Sequence, residues 1–135
     1  MKCLFGINKT SGNSFQMNLQ FTNLSDDQKI KSFFNFIKNI ELMCIKHLEL
    51  DENKNLFISQ IKYDKNNKYE PNLLLKVPFS YNKFNVDLYS EYSNVVNILN
   101  INNFQDMECD IYIDKIWKIN DKFYVKWKCK VIKLI

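Results

Sequence analysis

Two long runs of strand-forming residues near the end of the chain, 108–119 and 122–134, limit the folds that it can adopt. Both runs are rich in Ile, Val, Tyr, Phe and Trp, which favour β-structure, and only Asn120 and Asp121 separate them. A two-residue link between such runs is typical of a tight hairpin, even though the glycine that these turns favour is missing here. We therefore predict a long antiparallel hairpin at the end of the chain.

Pairing Ile119 with Lys122 across the turn determines which side chains share a face, because strand side chains alternate. The apolar alternation slips by one residue near Asp114 and Lys115, which predicts a β-bulge that curves the strand, as a small barrel requires. One face of the hairpin is then expected to carry Lys115, Trp117, Tyr124, Lys126 and Lys128, and the other face Ile116, Phe123, Val125, Trp127 and Cys129.

The hydrophobic period changes in the first half of the chain, where apolar residues recur at spacings of three and four from Ile30 to Leu48. This spacing is typical of an amphipathic helix. Ser25 and Gln28 fit a capping box, in which the serine accepts an orphan backbone N–H and the glutamine reaches back to the cap. We predict one long helix over about 26–48, with Ser25 as its N-cap.

Short apolar or alternating segments elsewhere predict the remaining strands. The chain of 135 residues is 46% hydrophobic and has neither a repeat nor a linker, so it is long enough for one packed domain and too short for two. We predict a single domain of the α+β class, mainly β, with a small antiparallel barrel, one long amphipathic helix and the C-terminal hairpin. The further strands are predicted at 3–7, 14–21, 56–63, 72–79, 84–89 and 94–101.

Positive charge is concentrated at the end of the chain. Residues 115–135 contain seven Lys against one acid, a local charge of +6, whereas residues 1–114 contain 12 Lys against 14 acids. Such asymmetry is typical of a protein that binds a polyanion, and a solvated, lysine-rich strand pair is the alternative. The chain has no Arg, while Asn, Lys and Ile supply 53 of its 135 residues, a bias that indicates an AT-rich genome.

The residue types present argue against several kinds of chemistry. Four scattered cysteines without a CxxC pair and a single His47 do not fit a zinc site or a nucleophilic active site. Gly6 and Gly12 do not form a phosphate-binding loop, and no apolar stretch has the length of a membrane span. We therefore expect a non-enzymatic cytoplasmic protein with free thiols, no metal, no cofactor and no membrane partner.

A row of acids on the first hairpin strand is the one candidate for metal-dependent chemistry. Carboxylates at alternate strand positions could hold a divalent cation through oxygen ligands, which would make the protein a metal-dependent nuclease. We prefer the more common role of such a row, a charged strand edge that prevents aggregation. The acids are Asp106, Glu108, Asp110 and Asp114.

Lysines are interleaved with aromatic residues in three places. Binding of single strands without base specificity needs this combination, because cations follow the phosphates while bases stack on rings. The absence of Arg argues against bidentate reading of guanine in a duplex. The predicted contact residues are Lys62, Tyr63, Lys65, Lys68 and Tyr69 in one loop, Lys83 in a second, and Lys115, Trp117, Tyr124, Lys126 and Lys128 in the hairpin.

The order of these motifs resembles that of the OB-fold-like single-stranded-DNA-binding proteins of nucleocytoplasmic large DNA viruses and related cytoplasmic linear plasmids. In that family a strand and turn containing Lys and Asp lead into a run of Tyr, two prolines, Thr and alternating Leu and Lys that ends in Pro. Segments 58–65 and 69–78 are similar, with Pro71 and Pro78 matching and Asn72 in place of the second proline.

The terminal hairpin is similar to the family's as well. The pairs that match are Ile116-Trp117, Lys122-Phe123 and Trp127-Lys128, while Lys115, Asp121 and Tyr124 stand where the family has small residues. The resemblance covers about two thirds of the chain, including the helix. It implies an OB-like barrel that binds single-stranded DNA during replication.

Our first hypothesis is a sequence-independent single-stranded-DNA-binding protein that acts in replication of a cytoplasmic virus or linear plasmid. The alternative is a small non-catalytic subunit of a plasmid or viral RNA polymerase or replication complex, which would dock through the apolar helix. The preference for DNA over RNA and a homo-oligomeric state are left open by the sequence. The helix residues that motivate the alternative are Phe33, Phe34, Phe36, Ile37, Ile40, Leu42 and Met43.

Overall fold

The computed structural model describes residues 1–90 and 97–135 of the chain. These ranges contain ten strands, one long helix and two short 3-10 turns at Glu52–Lys54 and Ile98–Asn100. The elements are β1 (Lys2–Cys3), β2 (Asn8–Lys9), β3 (Phe15–Gln20), α1 (Gln28–His47), β4 (Ile61–Lys62), β5 (Asn72–Val77), β6 (Phe79–Ser80), β7 (Lys83–Phe84), β8 (Asp87–Ser90), β9 (Gln105–Ile119) and β10 (Lys122–Leu134).

Five of these strands form a closed OB-like barrel, which confirms the predicted mainly β, α+β class. Around the barrel, β1 pairs with β3, β3 with β5, β5 with β10, β10 with β9, and β9 again with β1. One pairing departs from the antiparallel barrel that we predicted, because β5 runs parallel to β10, with Lys76 opposite Lys128. One edge of β10 is paired with β9. The barrel can therefore close only through the opposite edge of β10, where β5 pairs.

The predicted hairpin and its register are confirmed, with Ile119 opposite Lys122. Asn120 and Asp121 have positive φ angles of 47° and 64°, the conformation that a type I′ turn requires at both central positions. Lys126 lies opposite Lys115 and Trp127 opposite Ile113, so Asp114 is the extra residue of the predicted bulge. The sequence pattern did not indicate the second bulge, where Lys130 is the extra residue.

The alternation of β3 and β5 separates the core from a half-buried outer face. Their inward residues are buried together with those of the hairpin: Met17, Leu19, Leu73, Leu75, Val77, Val125, Trp127 and Cys129. The side chains between them point outward and are each partly exposed. We call this surface the β3–β5 face; it consists of Gln16, Asn18, Gln20, Asn72, Leu74 and Lys76.

The long helix is present, but it begins later than predicted. Its N-cap is Asp27, whose Oδ1 accepts hydrogen bonds from Lys29 N at 2.9 Å and Ile30 N at 3.2 Å. The prediction of Ser25 as the cap was wrong. The N–H groups of Asp26 and Asp27 both turn back to the carbonyl of Asn23, so Ser25 is held in a turn that precedes the helix.

The helix covers one side of the barrel through its apolar stripe and one buried acid. Phe33 and Phe34 pack against the buried ring of Phe21, at centroid distances of 5.8 and 5.0 Å. Buried Glu41 accepts hydrogen bonds from Ser59 Oγ at 2.6 Å and Gln60 N at 2.9 Å. No helix within the described ranges combines the length and the apolar character needed to cross a membrane.

Several shorter strands differ from the sequence-based expectation. Segment 56–63 contributes only β4, since Phe57 forms an isolated bridge with Phe123 instead. Segment 3–7 leaves the barrel after Cys3, and 84–89 is divided between β7 and β8. The predicted strand 94–101 begins outside the described residues, and its described part contains a 3-10 turn. Such short segments lack the length over which a period can be recognised.

Replacing the cap residue tests the corrected start of the helix. We expect Asp27→Ala to lower the free energy of unfolding by about 1 kcal/mol, because two orphan N–H groups lose their acceptor. Ser25→Ala is the matched control and should leave stability almost unchanged. Urea denaturation of both variants measures the difference, and equal destabilisation by the two changes would contradict the assignment.

Candidate nucleic-acid interface

The five predicted hairpin residues lie together on the outer side of the barrel. Tyr124 is directly opposite Trp117, and Lys126 is directly opposite Lys115. Lys128 follows two residues after Lys126 and therefore points the same way. The intervening residues of β10 fill the core, which fixes the outward orientation of the lysines. We call this set, which consists of Lys115, Trp117, Tyr124, Lys126 and Lys128, the hairpin face.

Trp117 organises two of these lysines. Its ring centroid is 4.1 Å from Lys115 Nζ and 4.3 Å from Lys126 Nζ, so both ammonium groups make cation–π contacts of about 0.5–2 kcal/mol each. These contacts give Trp117 the role of holding two cations in place. Its role as a stacking platform stays a prediction. Its buried Nε1 has no hydrogen-bond acceptor among the described residues.

A groove of about 470 Å³ separates the hairpin face from the loop that connects β2 to β3. The loop side is polar and uncharged, and includes Ser11 and Asn13. The opposite side consists of Tyr124, Lys126 and Lys128. A groove with a cationic wall and a wall of hydroxyl and amide groups suits a ligand that combines negative charge with hydrogen-bonding groups.

Lys76 joins this site, although the sequence did not indicate it as a contact residue. It lies on the β3–β5 face, lines the groove and is opposite Lys128 in the parallel pairing that closes the barrel. Its Nζ donates to Gln16 Oε1 at 3.4 Å. The alternation of 72–77 already places Lys76 on the outside, but only the barrel closure shows that β5 is the neighbour of β10.

Burial and neighbouring positive charges both shift pKa values in the site. Burial, together with the neighbouring charge of Lys128, lowers the pKa of Lys126 below its usual value. Burial also lowers the pKa of Lys76 and raises that of Tyr124. Asp114 offsets part of the charge through an ion pair with Lys128 at 3.5 Å. The remaining positive charge favours a bound anion.

The predicted loop residues form a second group at the other end of β5. Tyr63, Lys65, Lys68 and Tyr69 belong to the connection between β4 and β5, which leads into Asn72. Asn72 and Lys76 are four residues apart, or about 13 Å along a strand. The structure therefore separates this group from the hairpin face. Within it, Lys68 Nζ is 5.4 Å from the ring of Tyr69.

The two remaining predicted lysines, Lys62 and Lys83, lie outside both groups. Lys62 is exposed, and its Nζ donates to the carbonyl of Ser59 at 3.1 Å. Lys83 lies on the small hairpin of β6 and β7, whose Phe79 lines the groove. Phe15 anchors this small hairpin, since its ring lies 4.9 Å from Phe79 and 4.8 Å from Phe84.

The acidic row of β9 is not assembled into a metal site. Asp106 pairs with Lys2 at 3.1 Å, and Asp114 pairs with Lys128. Over residues 1–90 and 97–135, no group of three His, Cys, Asp or Glu side chains is arranged to hold a metal ion. All four cysteines are free thiols.

The chain matches no family model, no curated protein and no solved structure.

Charge removal at Lys76 tests whether burial of its ammonium group lowers the stability of the fold. Because burial lowers the pKa of Lys76 in the folded protein, the unfolded chain binds more protons between that lowered pKa and the ordinary value of about 10.4. Stability is therefore expected to rise with pH through that window. Lys76→Met keeps the aliphatic stem and removes the charge, so its unfolding free energy at neutral pH should equal or exceed that of the wild type.

The measurement is urea denaturation at neutral pH and again near pH 10. The wild-type protein should gain stability at the higher pH relative to the variant. Lys46→Met, on the exposed last turn of α1, is the control. Marked destabilisation by Lys76→Met would show that the ammonium group stabilises the fold.

Proposed function

We propose that the protein binds single-stranded DNA without sequence specificity and does not act as an enzyme. The observation that carries the proposal is the clustering of Lys76, Lys115 and Lys128 around Lys126, beside a groove on an OB-like barrel. OB folds bind oligonucleotides on the face of their second and third strands and on the adjoining loops. In this barrel those strands are β3 and β5.

The groups in the groove suit a sugar–phosphate backbone. The four lysines lie within a few residues of one another on paired strands, so successive phosphates can each meet an ammonium group. Lysine is a point charge that contacts phosphate without reading base edges. Tyr124 and Trp117 offer rings to the adjacent bases, whose π-faces are alike enough to make stacking tolerant of sequence.

Preorganisation supports the same proposal. Lysine side chains lose considerable rotamer freedom when a ligand orders them. The contacts of Trp117 with Lys115 and Lys126, and of Gln16 with Lys76, restrict these side chains before any ligand arrives. Binding then costs less conformational entropy. A phosphate would also relieve the repulsion from Lys128, which adds to burial in lowering the pKa of Lys126.

The biological setting that we propose is replication of a cytoplasmic virus or linear plasmid with an AT-rich genome. There the protein would cover exposed single strands and work beside other replication or transcription proteins. The resemblance of the hairpin motifs to viral single-stranded-DNA-binding proteins and the residue composition support this setting. Lys62, Lys65, Lys68 and Lys83 are proposed as further phosphate contacts at the margins of the site.

Titration of a labelled oligo-dT at several salt concentrations tests the proposal. If all four clustered lysines contact phosphates, the logarithm of the association constant should fall against the logarithm of the salt concentration with a slope of about −2 to −3, from about −0.7 per contact. Oligo-U of the same length compares RNA with DNA. Absence of micromolar binding at low salt would overturn the proposed function.

A variant of the groove shows whether binding occurs there. Lys126→Gln should weaken binding and reduce the magnitude of the salt slope by about 0.7. Lys46→Gln removes the same charge from the exposed end of α1 and should leave the slope as in the wild type. Equal effects of the two changes would mean that net charge alone attracts the DNA.

A second candidate function is a small subunit of a polymerase or replication complex. It is favoured by the exposure of Phe36, Leu42 and Met43 on α1, at 53%, 59% and 65%, because large exposed apolar side chains often mark protein interfaces. Ile37 is buried against the barrel and is not available for docking. A subunit of this kind should co-purify with a large partner and bind oligo-dT poorly alone.

A further inference from the structure

Four exposed aromatic rings surround a second cavity. It lies at the end of the β3–β5 face that is opposite to Lys76. Phe5, Tyr63, Tyr69 and Phe104 are 55%, 58%, 62% and 61% exposed, and all four line a cavity of about 430 Å³. They come from three separate parts of the chain. The sequence indicated the two tyrosines, but only the fold brings Phe5 and Phe104 to them. We call this cavity the aromatic pocket.

The carboxylates beside the aromatic pocket are already used to hold its loop. Asp64 Oδ2 accepts from Lys68 N at 2.7 Å and from Tyr69 N at 3.2 Å. Glu70 accepts through its two oxygens from the N–H groups of Asn23 and Leu24. These bonds fix the position of Tyr69. They also leave negative charge beside the pocket, which disfavours a phosphate inside it.

Phe104 adopts a backbone conformation that is unusual for a bulky residue. Its φ is +63°, in the left-handed region where residues other than Gly, Asn and Asp are rare. A hydrogen bond of 2.7 Å from Phe104 N to Cys3 O holds it there. An asparagine would adopt this φ at lower cost, and the phenyl ring at this position lines the aromatic pocket together with three other rings, which favours a role for the ring itself.

The polar groups of the aromatic pocket come from Gln20 and Asn72. These residues are directly opposite each other on β3 and β5, and both line the cavity. Asn72 Oδ1 accepts from Asn18 Nδ2 at 2.8 Å, and Gln20 Nε2 donates to the carbonyl of Glu70 at 3.5 Å, which leaves the Nδ2 group of Asn72 as a donor and the Oε1 atom of Gln20 as an acceptor for a ligand. The two side chains together offer donor and acceptor groups beside the rings.

We propose that the aromatic pocket holds one unstacked base of a single strand whose backbone lies on the lysines of the groove. The proposal rests on the proposed function and extends it to a second contact point. A base is uncharged, offers two flat faces to the rings, and carries donors and acceptors on its edge for Gln20 and Asn72. An aliphatic ligand would leave the remaining hydrogen-bonding capacity of these amides unused.

The β3–β5 face provides a continuous path between the two sites. Gln16 and Lys76 line the groove, whereas Gln20 and Asn72 line the aromatic pocket. Both pairs belong to the same two strands and lie on the same outward side. The path is about 13 Å long, short enough for a bound strand of the usual OB site size of about 4–16 nucleotides. Lys68, beside Tyr69, supplies a cation at the far end.

The test compares two substitutions that differ in position and little else. Phe104→Asn removes the ring of the pocket and places at a positive φ the residue that tolerates it best. Tyr81→Asn makes a similar change at an exposed aromatic residue with φ +52°, which does not line the pocket. Both proteins are titrated with an oligo-dT of about 16 nucleotides, and thermal unfolding verifies that they fold.

Phe104→Asn should weaken binding by about 5- to 150-fold, the loss of one stacked base. The salt slope should stay at the wild-type value, because no charge is lost. Tyr81→Asn should bind as the wild type does. Tyr69→Leu, on a separate loop of the pocket, should weaken binding in the same direction and serves as a second variant if Phe104→Asn fails to fold.

An abasic nucleotide adds a readout that a merely structural effect would not produce. Moved along a minimal-length oligonucleotide, it should weaken wild-type binding most at one position, and that loss should disappear in the Phe104→Asn protein. If the wild type binds with its full salt slope and the pocket variants bind equally well, the pocket proposal is wrong and the proposed function stands. If the wild type does not bind, the proposed function itself fails.

Discussion

The parallel contact between β5 and β10 is the constraint on which the rest of the structure depends. It closes the barrel, and it places Lys76 opposite Lys128. The same contact therefore completes the hydrophobic core on the inside and concentrates lysines on the outside. An open sheet would keep Lys76 apart from the lysines of the hairpin face. Closure thus links folding to the formation of the groove, because neither side of the sheet can form without the other.

The protein reduces the electrostatic cost of this arrangement without removing it. Asp114, the extra residue of the bulge, pairs with Lys128, and the ring of Trp117 contacts two further ammonium groups. Gln16 accepts a hydrogen bond from Lys76. These partners orient the lysines while leaving most of their charge unneutralised. The remaining repulsion is a cost in stability that a bound anion would reduce, and proteins commonly give up stability at sites of function.

The sequence predicted the elements whose patterns extend over many residues. The hairpin, its register and the bulge near Asp114 follow from the alternation of two long runs, and the helix follows from its three-four spacing. Contacts between segments that are far apart in the chain could not be predicted from these local patterns. The role of Lys76 depends on which strand closes the barrel, and the aromatic pocket depends on Phe5 and Phe104 meeting a loop far away in the chain. The helix cap was missed because Ser25 and Asp27 both suit that position, and only the turn at Asn23 decides between them.

The surplus of asparagine, which composition alone attributes to an AT-rich genome, also has a structural use. Of the nine non-glycine residues with positive φ in the described ranges, five are asparagines: Asn23, Asn55, Asn67, Asn82 and Asn120. Asparagine tolerates this conformation better than most residues, so the chain forms its turns with only two glycines. Glu49, Tyr81 and Phe104 are the residues of this group that are neither Asn nor Asp, and of these three only Phe104 lines the aromatic pocket. Its ring lines a cavity together with three other aromatic residues, and the base-binding role proposed for that cavity would account for a phenyl ring at this turn.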